Sequence, residues 1–144
     1  MTPQDPLLIK ELRRDEGVRY TPYFDTVGDE TVGVGHNLKA CPLPVHYPLT
    51  EEQVDNILGG DLVTVFHAMD GHLGWWRQMS YARQRVLVNM CFNLGIERLM
   101  KFVNTLAAME RCEYNDAADK MLQSKWAQQV GERATRLAAM MREG

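Results

Sequence analysis

Apolar side chains recur at helical spacing near the start of the chain, where they form one stripe: Leu7, Leu8, Ile9 and Leu12. Asp5 suits the N-cap, Pro6 suits the first helical turn, and Gly17 suits the position just after the last turn. These signals predict a helix over residues 5–16.

The next stretch changes from helical spacing to short apolar segments that are typical of strands. Tyr23 and Phe24 form one segment, and Val32 and Val34 form the other. Residues 27–29, Val-Gly-Asp, lie between the two segments and favour a tight turn. The pattern therefore predicts a small β-hairpin.

A longer helix is predicted from about residue 51 to residue 70. Residues 50–53, Thr-Glu-Glu-Gln, have the capping-box pattern, and apolar residues follow at helical intervals. Gly59-Gly60 interrupts this pattern, so the alternative is a break there, with Asp61 capping a second helix. The prolines within residues 37–49 indicate an irregular connection before the helix.

The second half of the chain has the pattern of a run of helices. After Ser80, a suitable N-cap, apolar residues from Val86 to Leu94 occupy nearly every face, which is typical of a helix buried all round. Three shorter helices are predicted after it: one over 101–111, one over 116–126 that is capped by Asn115, and one over 132–142. We expect the buried helix to be the centre of this half.

Composition limits the class of protein. A chain of 144 residues with 45% hydrophobic content has the size of one domain. No uncharged apolar run approaches the ~18 residues of a membrane span, and the N-terminus lacks the order of a signal peptide. We therefore expect no membrane insertion, and synthesis in the cytoplasm without a signal peptide. Three widely spaced cysteines without a CxxC pair predict neither a disulfide framework nor a metal site, and Cys91 is expected to be a core residue.

Charge is distributed unevenly along the chain. Residues 1–72 carry a net charge of −7 and residues 73–144 carry +4, although the whole chain carries only −3. The basic half could meet anionic polymers, and the alternative is a set of dispersed, solvated helix faces. No nucleic-acid partner and no cofactor are expected.

Two carboxyl groups stand out as candidate chemistry. Glu16 lies at the predicted helix end, where the negative end of the helix dipole disfavours an anion and favours the protonated acid. Asp25 lies in the predicted hairpin beside polar Thr26 and Thr31, where an ionised carboxylate stays hydrated. One protonated and one ionised carboxyl group are what glycosidic bond cleavage requires. The alternative is a surface Glu and an ordinary turn Asp.

The spacing of these residues is specific. Glu16-Gly17 is followed by Asp25 nine residues after the Glu, by Thr31 six residues later, and by Gly-Val-Gly-His at 33–36. This pattern resembles the catalytic signature of the phage-type lysozymes (endolysins) of the T-even coliphage kind, glycoside hydrolase family 24. The resemblance implies that Glu16 is the general acid, Asp25 the second carboxylate, and Thr31 a residue that holds the attacking water.

Further matches extend the resemblance along the chain. Residues 89–95, Asn-Met-x-Phe-x-x-Gly, look like the central helix of that family. The resemblance implies four substrate-binding residues: Gly35, Phe92, Asn93 and Thr105. It also implies a structural pair between His36 and Asp61. For Phe92 and Asn93 the alternative is a core aromatic and a polar helix-end residue.

The resemblance implies a mostly α (α+β), lysozyme-like fold of two lobes within a single domain over residues 1–144. The small β-hairpin lobe is expected at about 17–48 and the interlobe helix at about 51–70. The larger helical lobe, around a buried central helix, is expected at about 75–144 together with the N-terminal helix 5–16.

The implied function is that of a peptidoglycan hydrolase, a muramidase that cleaves the β-1,4 bond between N-acetylmuramic acid and N-acetylglucosamine. The expected protein is a monomer that acts on periplasmic peptidoglycan. It either acts late, with a separate holin for its export, or is carried on a virion. Two alternatives stay open: a lytic transglycosylase of similar fold, and a non-catalytic wall-binding or virion domain.

Overall fold

The computed structural model describes residues 1–144 as a mostly helical chain with one small antiparallel sheet, so the predicted α+β class is confirmed. The elements are α1 Pro6–Glu16, β1 Arg19–Phe24, β2 Glu30–Gly33, β3 His36–Asn37, α2 Glu51–His72, a 3-10 turn Trp76–Gln78, α3 Tyr81–Leu94, α4 Ile96–Leu99, α5 Val103–Glu110, α6 Tyr114–Gln123, α7 Lys125–Val130 and α8 Glu132–Glu143. The chain divides into two compact units, residues 1–64 and 65–144. No helix is long and apolar enough to cross a membrane.

The first unit begins with the predicted N-terminal helix, whose capping signals are confirmed. The Asp5 side chain accepts a hydrogen bond from the Leu8 amide at 2.9 Å, and Pro6 stands in the first turn. Gly17 follows the last turn with φ +75°, a conformation that a glycine adopts without strain. Leu8 and Leu12 are fully buried, so the apolar stripe faces the core.

The predicted hairpin is confirmed and carries one strand more than the sequence pattern indicates. Strand β1 pairs antiparallel with β2, with Tyr23 opposite Thr31, and β2 pairs antiparallel with β3, with Val32 opposite His36. Strand β3 has only two residues, which is too short to produce an alternating pattern.

One continuous helix, α2, covers Glu51–His72 and passes through Gly59-Gly60 without a break. Its first turn has the reciprocal capping box: the Thr50 amide donates to Gln53 Oε1 at 2.9 Å, and the Gln53 amide donates to Thr50 Oγ1 at 3.1 Å. Leu58 and Leu62 are buried on either side of the glycine pair, and this packing compensates for the low helix propensity of the glycines.

The first unit also ties its helices to its sheet. Arg13 on α1 donates to Glu51 Oε2 at 2.8 Å and to Asp55 Oδ1 at 3.1 Å on α2. The Tyr20 hydroxyl on β1 donates to Glu51, and the Leu49 amide donates to the Tyr20 carbonyl at 2.7 Å. These contacts hold the start of β1 beside the start of α2.

The second unit is built around α3, which is buried on nearly every face from Val86 onward, as predicted. The Ser80 hydroxyl accepts from the Arg83 amide at 3.3 Å, so the predicted N-cap is confirmed. Cys91 is buried in the core, also as predicted. Asn89 is the buried polar residue of this helix, and its Oδ1 accepts from Arg133 Nε on α8 at 2.9 Å.

The prediction of an N-cap at Asn115 is wrong. Helix α6 already begins at Tyr114, after a tight turn at Cys112 with φ +61°, and Asn115 lies inside its first turn. The same prediction ran two helices together, because α6 ends at Gln123 and Ser124 caps the separate helix α7 by accepting from the Ala127 amide at 3.1 Å. A serine side chain competes with the helical backbone for hydrogen bonds and so favours a new helix start.

Candidate active site

Glu16 is the last residue of α1 and is only partly exposed. Gly35 approaches it closely: a Cβ built on Gly35 would lie 3.2 Å from Glu16 Oε2. Gly35 has φ +65°, a left-handed conformation that favours glycine. A side chain at position 35 would therefore require the Glu16 carboxyl group to move by a few tenths of an ångström.

Asp25 follows the last residue of β1 and organises the hairpin turn with its own side chain. Its Oδ1 accepts from the Val27 amide at 3.0 Å and from the Asp29 amide at 2.8 Å, and its backbone amide donates to the Asp29 carbonyl at 2.9 Å. The structure gives Oδ2 no hydrogen-bond partner in the protein. One oxygen therefore fixes the carboxylate in place, and the other is left to meet a substrate or a water molecule.

Thr31 lies on β2 directly opposite Tyr23 of β1, and its side chain is buried. Its hydroxyl donates to the Tyr23 carbonyl at 3.3 Å. A hydroxyl that uses its proton in this way keeps its oxygen lone pairs for accepting a hydrogen bond. Because Asp25 lies two residues after Tyr23, the sheet fixes the order of these groups along the hairpin.

His36 and Asp61 are in contact within the same unit, with His36 Nδ1 2.7 Å from Asp61 Oδ2. His36 is buried and begins β3, immediately after Gly35, while Asp61 lies on α2. The candidates Glu16, Asp25, Thr31, Gly35, His36 and Asp61 therefore all belong to the first unit.

The other three candidates belong to the second unit. Phe92 and Asn93 lie near the end of α3, both partly exposed, and Asn93 Oδ1 accepts from Trp126 Nε1 at 2.9 Å. Thr105 lies on α5, is buried, and lines a cavity together with Trp126. The same cavity carries four cationic residues that spacing did not single out: Arg98, Lys101, Lys120 and Lys125. Their charge is part of the positive net charge of residues 73–144, which the sequence alone does not assign to a particular surface.

No group of three His, Cys, Asp or Glu side chains is placed to hold a metal ion. The three cysteines are free thiols, with Cys41 and Cys112 exposed and Cys91 buried. Burial raises the pKa of the Cys91 thiol to about 11, so this group is a poor nucleophile at neutral pH.

Two carboxyl groups, such as those of Glu16 and Asp25, are what most glycoside hydrolases use to donate a proton and to activate water or form a covalent intermediate. Comparison with known proteins agrees with this class. The family model for phage lysozymes matches residues 13–142, and the chain therefore belongs to the phage lysozyme family.

The individual relatives described next share less than 30% sequence identity with this chain. The chain is 29% identical over 157 residues to the pre-baseplate central spike protein Gp5 of Enterobacteria phage T4; the match covers 92% of this chain but 27% of Gp5. It is 22% and 21% identical to probable T4-type lysozymes 1 and 2 of Dictyostelium discoideum, with 92% of each chain covered. The chain thus spans about a quarter of the phage spike protein and nearly the whole of the lysozymes.

Proposed function

We propose that this protein is a muramidase that hydrolyses the β-1,4 bond between N-acetylmuramic acid and N-acetylglucosamine in peptidoglycan. Membership of the phage lysozyme family supports peptidoglycan as the substrate. The observation that carries the reaction type is the state of Asp25, whose Oδ1 is held by two backbone amides while Oδ2 is left open. A carboxylate fixed in this way is suited to act on a water molecule or on a positively charged sugar.

In the proposed mechanism Glu16 is the general acid. Its proton passes to the glycosidic oxygen as the bond to the anomeric carbon breaks, and the leaving sugar departs as an alcohol. Gly35 passes close to the Glu16 carboxyl group without a side chain that would displace it.

Asp25 and Thr31 act on the other side of the sugar in this proposal. A water molecule donates one hydrogen bond to the Thr31 hydroxyl oxygen and one to Asp25 Oδ2. Its oxygen then attacks the anomeric carbon as positive charge develops there, and Asp25 takes the proton that the water loses. The open Oδ2 and the lone pairs of Thr31 support this assignment, since both are acceptors without a recorded donor.

The biological setting divides into two proposals. The match to Gp5, a protein named as a central spike of a virion assembly, favours wall penetration by a virion-associated lysin. The matches to T4-type lysozymes over nearly their whole length favour a separate enzyme of late lysis. Mass spectrometry of purified virions from the producing phage distinguishes the two, because only a virion-associated lysin remains with the particles.

Digestion of purified peptidoglycan tests the reaction itself. After digestion, the new reducing ends are labelled by borohydride reduction and the fragments are identified by mass spectrometry. Reduced N-acetylmuramic acid ends are expected. Reduced N-acetylglucosamine ends would show cleavage of the other glycosidic bond, anhydromuramic ends would show a lytic transglycosylase, and intact peptidoglycan would show a non-catalytic domain.

A further inference from the structure

A second cavity, of about 590 Å³, lies within the second unit. Its walls are the end of α2, the segment from there through the 3-10 turn, Met100, and one face of α5. Its polar lining residues are His72, Gln78 and Glu110, and they surround the indole ring of Trp75. This cavity, here called the Trp75 pocket, lies within the ~300–1,000 Å³ that small-molecule sites occupy.

The Trp75 pocket is separate from the cavity that holds Thr105. On α5 it is lined by Val103, Leu106, Ala107 and Glu110, which form one stripe at intervals of three and four residues. Thr105 points at least about 100° around the helix axis from each of these four residues. No candidate for substrate binding lines the Trp75 pocket, and Val103 is the one lining residue that the two cavities share.

Two neighbouring tryptophans differ in what they contribute to the fold. Trp76 is fully buried, meets Phe66 edge to face with ring centroids 5.4 Å apart, and donates its indole N–H to Asp70 Oδ1 at 2.8 Å. Trp75 is half-buried and lines the pocket, and the structure gives its indole N–H no hydrogen-bond partner. An indole usually finds such a partner when it is covered, so the N–H of Trp75 is free for a ligand that covers the ring.

The polar groups of the pocket are also free of partners in the protein. The Gln78 amide donates to the Trp75 carbonyl at 3.0 Å, the contact of a 3-10 turn, and side chains at this spacing lie one above the other. Glu110 is the exposed last residue of α5 and forms no ion pair. His72 Nδ1 lies 2.9 Å from the Ala68 carbonyl oxygen, which leaves Nε2 for another contact. The pocket therefore offers both donors and acceptors.

A ligand that fits these groups has several hydroxyls and an apolar face. Hydroxyls both donate and accept hydrogen bonds, and the CH face of a sugar ring packs on an indole. We propose that the Trp75 pocket binds a neutral N-acetylated sugar, with its ring on Trp75, its hydroxyls on Gln78 and Glu110, and its acetamido methyl group on the apolar residues of the pocket. No Lys or Arg lines the pocket, so the Glu110 carboxylate repels an anionic ligand.

Apolar surface for the acetamido group is present beside the polar groups. Val103 leaves 67% of its surface exposed, and Met100 and Ala107 are half-buried. Behind them, Leu73 and Leu106 are buried and close the floor of the pocket. A methyl group that covers this surface is removed from water, which favours an acetamido sugar over one that carries only hydroxyls.

In nature such a sugar would be part of the glycan strand of peptidoglycan, and the pocket would be a second contact with that strand. This part of the inference rests on the proposed function, whereas binding of the sugar does not. A protein that leaves peptidoglycan intact but binds the sugar at Trp75 would contradict the proposed function and keep the pocket. A protein that cleaves peptidoglycan without binding the sugar at Trp75 would do the opposite.

Proton–nitrogen correlation NMR of the full chain tests the pocket through the indole N–H signals of its three tryptophans. The N–H groups of Trp76 and Trp126 are already bonded within the protein. On titration with N-acetylglucosamine we expect the Trp75 signal, identified by its absence in Trp75→Phe, to shift until it saturates, while the Trp76 signal stays in place. No shift, or a shift of the Trp126 signal alone, would overturn the proposal, because the latter places the sugar in the cavity of Thr105.

Glucose and glucosamine are matched probes for the chemical class of the ligand. Glucose has a hydroxyl group in the place of the acetamido group, and glucosamine has an ammonium group there. We expect N-acetylglucosamine to bind more tightly than either by about fourfold, the effect of burying one methyl group. Tighter binding of glucosamine would assign the pocket to cations, and equal binding of glucose would remove the selection of N-acetylated sugars. Either result would overturn the proposal.

Two variants with the same change of charge locate the binding. Glu110→Ala removes the carboxylate of the pocket, and Glu97→Ala removes an exposed carboxylate of α4 that does not line it. We expect Glu110→Ala to lose about tenfold in affinity for N-acetylglucosamine, because a hydrogen bond to a charged group is lost, and Glu97→Ala to change less than about twofold. Circular dichroism establishes that both variants are folded. An equal loss in both would show that Glu110 does not contact the sugar and would overturn the proposed pocket.

Discussion

His36 and Asp61 join strand β3 to helix α2 through a contact of 2.7 Å between Nδ1 and Oδ2. The other ring nitrogen, Nε2, lies 2.8 Å from the Cys41 carbonyl oxygen. Both partners are acceptors, so each contact is a hydrogen bond when the ring nitrogen that faces it carries a proton. Because Gly35 precedes His36 directly, the pair also anchors the segment that passes beside Glu16.

Replacing Asp61 with Asn tests how much this anchor contributes to stability. Removal of the charge leaves a buried histidine with a weaker partner, and we expect the free energy of unfolding to fall by about 1–3 kcal/mol. Urea denaturation measures the change. Asp55→Asn is the matched control, since Asp55 pairs with Arg13 at an exposed site and is expected to cost less than about 1 kcal/mol. Equal losses would mean that the buried His36–Asp61 pair contributes no more to the free energy of unfolding than the exposed Arg13–Asp55 pair.

Gly35→Ala tests the close approach to Glu16. The new Cβ would lie 3.2 Å from Glu16 Oε2, so the carboxyl group must move, and φ +65° adds backbone strain. We expect a loss of activity of at least tenfold per folded molecule, together with a loss of roughly 1 kcal/mol in stability. Gly95→Ala shares a positive φ, +78°, but meets nothing within 4 Å. Gly95→Ala is therefore expected to lose stability while it keeps most of its activity.

Glu16→Gln tests the proposed acid. The amide fills nearly the same space but cannot donate the required proton, so we expect turnover of purified peptidoglycan to fall by roughly 10²–10⁴-fold. The melting temperature should stay close to that of the wild type. Glu30→Gln, an identical change at an exposed position of β2, is expected to leave turnover unaltered. A Glu16→Gln protein that retains more than about a tenth of wild-type activity would falsify the assignment.

Cys91 gives a prediction for alkaline pH. Burial raises the pKa of its thiol to about 11, whereas an unfolded cysteine has a pKa of about 8.5. The folded state therefore holds the proton more tightly between these values. The contribution of the protonated Cys91 thiol to the free energy of unfolding is fully present below about pH 8.5. This contribution is lost as pH rises toward 11, by up to about 1.4 kcal/mol per pH unit. Cys91→Ala lacks this term, so the unfolding free energy of the wild type should fall more steeply over that window. Parallel curves would contradict the prediction.

Local signals explain which parts of the fold could be predicted. The Asp5 cap and the capping box of Thr50 and Gln53 act within one helical turn, so the sequence alone contains them. Strand β3 forms by pairing with β2, where His36 lies opposite Val32. A strand of two residues is too short to show an alternating pattern in the sequence, so it could not be predicted. The prediction of a cap at Asn115 failed for a similar reason. The turn at Cys112 makes α6 begin at Tyr114, one residue before Asn115, although Asn is the better capping residue.

The candidate site follows the same division. Glu16, Asp25 and Thr31 could be proposed from the sequence because they lie close together in it and at a specific spacing. The anchoring of Asp25 by two backbone amides needed the turn geometry. The cavity lined by Thr105 and Trp126 could not be predicted, because its lining comes from several helices and only the folded chain brings these together.

Stereochemistry is the most direct test of the roles of Asp25 and Thr31. Inversion requires a water molecule on the far face of the sugar and a gap of ~6.5–9.5 Å between the two carboxyl groups, whereas retention requires ~5–5.5 Å and a covalent intermediate. Asp25 is held by Oδ1 in the turn, and Thr31 keeps its lone pairs for an incoming donor. This arrangement favours a mechanism in which Asp25 and Thr31 hold the attacking water over one in which Asp25 attacks the sugar.

We therefore expect the first reducing end released from the β-linked substrate to be the α anomer, observed by proton NMR before mutarotation mixes the anomers. Thr31→Val keeps the shape of the side chain and removes the hydroxyl. Loss of one hydrogen bond of about 1–3 kcal/mol in the transition state should reduce turnover by roughly 10–100-fold and leave the anomer unchanged. Thr26→Val makes the same change at an exposed position of the hairpin turn after Asp25. This variant is the control and is expected to stay active. An initial β anomer would show that Asp25 attacks the sugar itself and that Thr31 does not hold the water that reacts.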